Sequence, residues 1–93
     1  MTHCYTIMCE YDGGSYLHQV RAPDVHTALL NWAKLVEIER PFGVASSRVA
    51  LIAAETPIED EEKITPVKGL ENVWCWTAAD ADELILTTIV QSS

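Results

Sequence analysis

The stretch Asp24 to Arg40, DVHTALLNWAKLVEIER, constrains the fold more than any other part of the chain. Val25, Ala28, Leu29, Trp32, Ala33, Leu35 and Val36 recur every three or four residues, which places them on one side of a helix. His26, Thr27, Asn31, Lys34 and Glu37 fall on the other side. Asp24 is the natural N-cap, because its carboxylate accepts from an N–H of the first turn that has no partner inside the helix. Pro41 predicts the end, since the residue before a proline is pushed out of the helical region. A stripe with Trp32 at its centre must be buried, and the strand-forming segments on either side are what it can pack against.

Cys4–Tyr11 and Tyr16–Ala22 are rich in strand formers, with Asp12-Gly13-Gly14-Ser15 between them, which predicts a hairpin. A turn centred on the glycines pairs Tyr11 with Tyr16, Cys9 with His18, Ile7 with Val20 and Tyr5 with Ala22. That side is the one expected to meet the Trp32 stripe. The other side carries Thr6, Met8, Glu10, Leu17, Gln19 and Arg21, and its polarity marks the second strand as an edge.

A second hairpin is predicted from Asn72–Ala79 and Leu84–Gln91 around the polar turn Asp80–Glu83. With Ala81-Asp82 at the turn, Val73 faces Val90, Trp74 faces Ile89, Trp76 faces Thr87 and Thr77 faces Leu86. Both sides of this hairpin are apolar. Either the strands are central with both faces covered, or one face is a patch for another chain.

Between the hairpins, Pro41-Phe42-Gly43 reads as a loop. Residues 47–55 favour a short helix with a serine cap over a buried strand, on their alanine content. Thr56–Pro66 holds four consecutive acids, Glu59 to Glu62, and reads as a solvated loop; an acidic docking loop or cation site is the functional alternative. Consecutive acids lack the alternating ligands and glycine of a calcium loop. The expected fold is one α+β domain over residues 1–93. It has a four-stranded antiparallel or mixed sheet in ββα(α)ββ order, helices on one face, and the first and last strands at its centre.

Charge removes whole classes of function. Six Lys and Arg against 14 Asp and Glu leave a net −8, with the bases scattered. Nucleic-acid affinity comes largely from neutralising phosphates, so neither a nucleic acid nor an anionic membrane surface is an expected partner. No apolar run approaches the ~20 residues of a membrane span, and the first residues lack a signal peptide's layout, so a cytoplasmic location is expected. Three cysteines without repeated spacing argue against a disulfide framework and a zinc module.

Cys9, His18 and Cys75 are the residues from which a metal or thiol site would have to be built, but no third group orients the imidazole. Buried spectators are the expectation, with no catalytic residue, cofactor or metal. His3 and His26 read as surface residues. Trp74 and Trp76 share a face with Ile85 and Ile89; these four form either core or a possible interaction surface.

Tyr5-Thr-Ile-Met-Cys-Glu-Tyr-Asp-Gly-Gly-Ser-Tyr16, followed by a helix carrying Ala28-Leu29, resembles the opening of HicB-like antitoxins. The likeness spans residues 4–30 and implies a similar small α+β platform that binds a partner protein. The chain departs from that family in lacking its Pro-Gly-Cys segment and the third strand before the helix. It also ends in a strand where the family has a DNA-binding helical module. The functional expectation is a non-enzymatic interaction protein acting as a homodimer or with another protein. The alternative is a small-molecule or metal binder with a pocket between the sheet and the 41–70 segment.

Overall fold

The computed structural model describes residues 2–55, 64–80 and 83–92. Strands β1 (His3–Tyr11) and β2 (Gly14–Ala22) form the first hairpin, but with Tyr11 opposite Gly14. The turn is therefore Asp12-Gly13, not Gly13-Gly14. Both turn residues have positive φ, 48° and 78°, as a type I′ turn requires, and Asp-Gly is a favoured pair for it. The partners shift by two residues from those expected, to Cys9–Tyr16, Ile7–His18 and Tyr5–Val20. Because side chains alternate with period two, an even shift leaves every residue on its expected side.

Helix α1 spans Val25–Glu39. Asp24 Oδ1 accepts the Thr27 N–H at 2.8 Å, as the cap predicts. At the other end Arg40 turns left-handed (φ 52°) and donates its N–H to the Val36 carbonyl, so the chain leaves the helix one residue before Pro41. A 3-10 turn (Gly43–Ala45) leads into α2 (Ser46–Ala54), the short helix favoured above. The serine cap is absent. Ala45 holds the cap position, and Ser46 Oγ instead accepts the Phe42 N–H at 3.0 Å, which ties the connecting loop to the helix start.

Strands β3 (Ile64–Pro66), β4 (Val73–Asp80) and β5 (Glu83–Gln91) complete an antiparallel sheet in the order β2-β1-β5-β4-β3. It has five strands where four were expected. β3 was hidden because three residues ending in a proline carry no readable alternation, and short edge strands with proline are a usual way to blunt a sheet. The β4–β5 register matches the sequence reading pair for pair, and β1 and β5 lie side by side in the middle. The acids Glu59–Glu62 and the Ala81-Asp82 turn fall outside the described residues.

Both helices cover one face. Tyr5, Ile7 and Cys9 of β1, Trp76 of β4, and Ile85 and Ile89 of β5 meet Ala28, Leu29, Trp32 and Val36 of α1 and Val49 and Ala53 of α2. Trp32 is the centre: its ring lies edge-on to Trp76 at 6.1 Å and to Phe42 at 6.5 Å.

Candidate interaction surface

Alternation along each strand decides what the other face shows. Since Trp74, Trp76, Ile85 and Ile89 point toward the helices, Val73, Cys75, Leu84, Leu86 and Val90 point away. The four residues named as a possible interaction surface are therefore core. Trp76, Ile85 and Ile89 are fully buried, and Trp74 is half-buried against the same cluster, stacked obliquely on Tyr5 at 6.1 Å. The physical reason is the apolar stripe of α1: Trp76 lies edge-on to Trp32 at 6.1 Å with both rings fully buried, so the strand face that carries Trp76 is the one the helix covers.

The helix-free face is apolar and nearly uncharged. Leu17, Leu84, Leu86, Met8 and Val90 are all exposed large hydrophobics, Leu17 at 68% and Leu86 at 40%. Threonines 6, 77 and 88 occupy much of the space between them. Across β1, β2, β4 and β5, the charged residues on this face are Glu10 and Arg21. Gln19 Nε2 donates to Thr6 Oγ1 across the hairpin at 3.1 Å.

The thiol and imidazole do not converge. Cys9 is opposite Tyr16 and fully buried, and burial pushes its thiol pKa up, the reverse of what a nucleophile needs. His18 is opposite Ile7; its Nδ1 accepts from Trp32 Nε1 at 3.4 Å, and its Nε2 lies 3.7 Å from Glu39. Cys75 sits half-buried on the opposite face of the sheet. Among the described residues, no three His, Cys, Asp or Glu side chains are grouped to hold a metal.

One polar cluster escaped the sequence reading. Tyr11 donates its hydroxyl to Asp80 Oδ2 at 2.8 Å, and Arg48 Nε reaches both Asp80 oxygens at 3.1 Å. The Tyr11 hydrogen bond and the Arg48 charge hold the Asp80 carboxyl below its ordinary range, and the same bond to Asp80 raises the Tyr11 phenol. Its sequence neighbours place Asp80 in a turn, yet it ends β4 and locks α2 to the end of β1. Its fixed geometry makes it a brace between elements, since each of its oxygens is already taken.

Beside a cleft of about 400 Å3 at β2, lined by Thr6, Leu17, His18 and Gln19, two more mark the surface. One, of about 350 Å3, lies beside the Asp12-Gly13 turn at the rim of the helix-free face. The other, about 460 Å3, runs between α1 and α2 and is lined by Leu30, Ala33, Ala50 and Leu51. None of the three lies between the sheet and the 41–70 segment, of which residues 56–63 are outside the described part. Among the described residues, no helix is long and apolar enough to cross a membrane. No protein-family model, curated protein or solved structure matches the chain.

Proposed function

We propose that the chain is a non-enzymatic interaction protein, a homodimer or a module for a protein partner, and that its helix-free sheet face is the surface for a partner other than its own copy. The observation behind this reading is the combination of exposed Leu17, Leu84, Leu86, Met8 and Val90 with one acid and one base among the described strand residues of that face. Four strands at ~4.8 Å spacing and ~27 Å length give roughly 500 Å2 of flat area before side-chain relief. That whole face, its threonines and the Glu10 and Arg21 side chains included, is of the order of the largest patch on a typical soluble monomer, ~300–600 Å2. It is somewhat less than the ~800 Å2 that one side of a standard interface buries. A surface of this kind gains from losing water and asks nothing of its partner's charge.

Cys75 reports on it, because its thiol lies on this face. Alkylation rates at Cys75 are compared between the dilute purified chain and intact cells of its source. The expected result is slower modification in cells, with the protection lost in Leu86→Lys. Equal rates in both settings would refute the reading.

A further inference from the structure

A second surface follows from backbone direction rather than from side chains. The Gln91 N–H donates to the Asn72 carbonyl and the Ser92 N–H to the Cys4 carbonyl, both on the β5 side of β1 or beyond. Cys4 therefore turns its peptide groups toward β5, and Arg21, opposite it, turns its own away from β1. Asn31 Nδ2 of α1 donates to that outward Arg21 carbonyl at 2.9 Å, which fixes the direction independently. By alternation, Ser15, Leu17 and Gln19 present both N–H and C=O to the open edge of β2. Among the described residues nothing pairs with them there.

The free set has definite ends. Asn31 occupies the Arg21 carbonyl on one side, and the Asp12-Gly13 turn closes the strand on the other. What remains is centred on Leu17. Residues 14–20 hold no Asp, Glu, Lys or Arg, in a chain of net charge −8. Such an edge lacks the charges, proline or bulge that normally keep strands from joining.

We propose that two copies of this chain join edge to edge, β2 pairing antiparallel with β2 about a two-fold axis at Leu17. Ser15 of one copy then faces Gln19 of the other and Leu17 faces Leu17, with about six hydrogen bonds exchanged. A two-fold contact requires that if one residue meets a second, the second meets the first. The Ser15–Leu17–Gln19 set has that symmetry, whereas an extended peptide laid along the whole strand would need the carbonyl that Asn31 already fills. Exposed apolar side chains flank the joint on both sides of the sheet. Leu17 is on the helix-free side, and Ile38, 78% exposed, is on the same stripe of α1 as Asn31. The axis stands normal to the sheet, so both helix layers lie on one side and the two helix-free faces become one wider surface on the other.

This contact stands on the edge and not on the face, so the two readings fail separately. Light scattering is combined with hydrogen exchange of individual amides, on the unaltered chain and on two variants. The expected mass is two chains at micromolar concentration. The Leu17 and Gln19 amides should then exchange at least about ten times more slowly than in dilute, dissociated protein. Gln19→Pro removes an N–H that β1 does not use and should give one chain with an unchanged circular dichroism spectrum. Leu86→Lys, on the face, should stay at two chains. A mass of one chain at every concentration would overturn the proposal. So would two chains with Leu17 and Gln19 amides still exchanging fast, and this measurement decides even if Gln19→Pro fails to fold. A Leu86→Lys monomer would move the contact to the sheet face, overturning the edge.

Discussion

Replacing Trp32 with alanine tests the core directly. The indole is fully buried, edge-on to Trp76 and Phe42, and its Nε1 donates to His18. An aromatic side chain of this size hides ~200 Å2, worth ~5 kcal/mol at ~25 cal/mol per Å2. Residual compactness of the unfolded chain lowers that by 10–40%, to roughly 3–4 kcal/mol. Lost aromatic pairing adds ~0.5–1.5 kcal/mol, and a cavity the sheet cannot collapse into adds more. The expected loss is therefore about 4–5 kcal/mol. Asp24→Ala, which removes one exposed cap hydrogen bond, should cost only about 1 kcal/mol. Urea melts with unchanged slopes measure both. For a domain of this size ~4 kcal/mol shifts the melting temperature by roughly 20 °C, so thermal unfolding should separate the two variants at a glance. If Asp24→Ala proves the costlier, the helix presents a different face to the sheet and the core described above is wrong.

Thr87 is buried on β5 opposite Cys9, and its hydroxyl has the Cys9 thiol, a weak hydrogen-bonding group, as its neighbour. Thr87→Val should be neutral or stabilising by about 1 kcal/mol in urea; a clear loss would mean the hydroxyl is paired. The folded chain holds the Asp80 carboxyl below its ordinary value of 3.8. Its contribution is thus complete above that value and lost as pH falls through the lower folded one. Asp80→Asn should narrow its stability gap from the unaltered chain as pH drops below about 4, and a gap that widens there would contradict the brace. Fluorescence anisotropy should show no DNA or RNA binding at physiological salt; micromolar affinity with a steep salt slope would contradict the charge reading.

The parts legible in the sequence are those where one physical signal dominates. The α1 stripe, its Asp24 cap and the β4–β5 register all come from strong local patterns, and each appears as expected. The first hairpin's side was readable because alternation is robust. Its register was not, because Asp12-Gly13 and Gly13-Gly14 both satisfy the same turn and only Tyr11 against Gly14 decides between them. Which apolar side of β4 and β5 lies outward could not be read from either strand alone. It depends on Trp76 meeting Trp32, a contact across more than forty residues of chain. The Tyr11–Asp80–Arg48 brace was hidden for the same reason: each member looks ordinary until three distant elements bring them together.

Charge placement leads to a further test of how copies meet. Among the described residues, the helix-free face carries Glu10 and Arg21, which cancel, and residues 14–20 of β2 carry no Asp, Glu, Lys or Arg, in a chain of net charge −8. Two copies meeting at the proposed β2 edge would each bring a net −8 and repel, while the backbone groups that pair are uncharged. Salt screens the remote repulsion over a Debye length of ~10 Å at 0.1 M and leaves backbone pairing and apolar burial intact. Self-association should accordingly tighten, by a few-fold, between low and moderate salt, as followed by sedimentation equilibrium at several sodium chloride concentrations. An interface built on ion pairs would weaken over the same range. Weakening would place the contact away from both the face and the β2 edge.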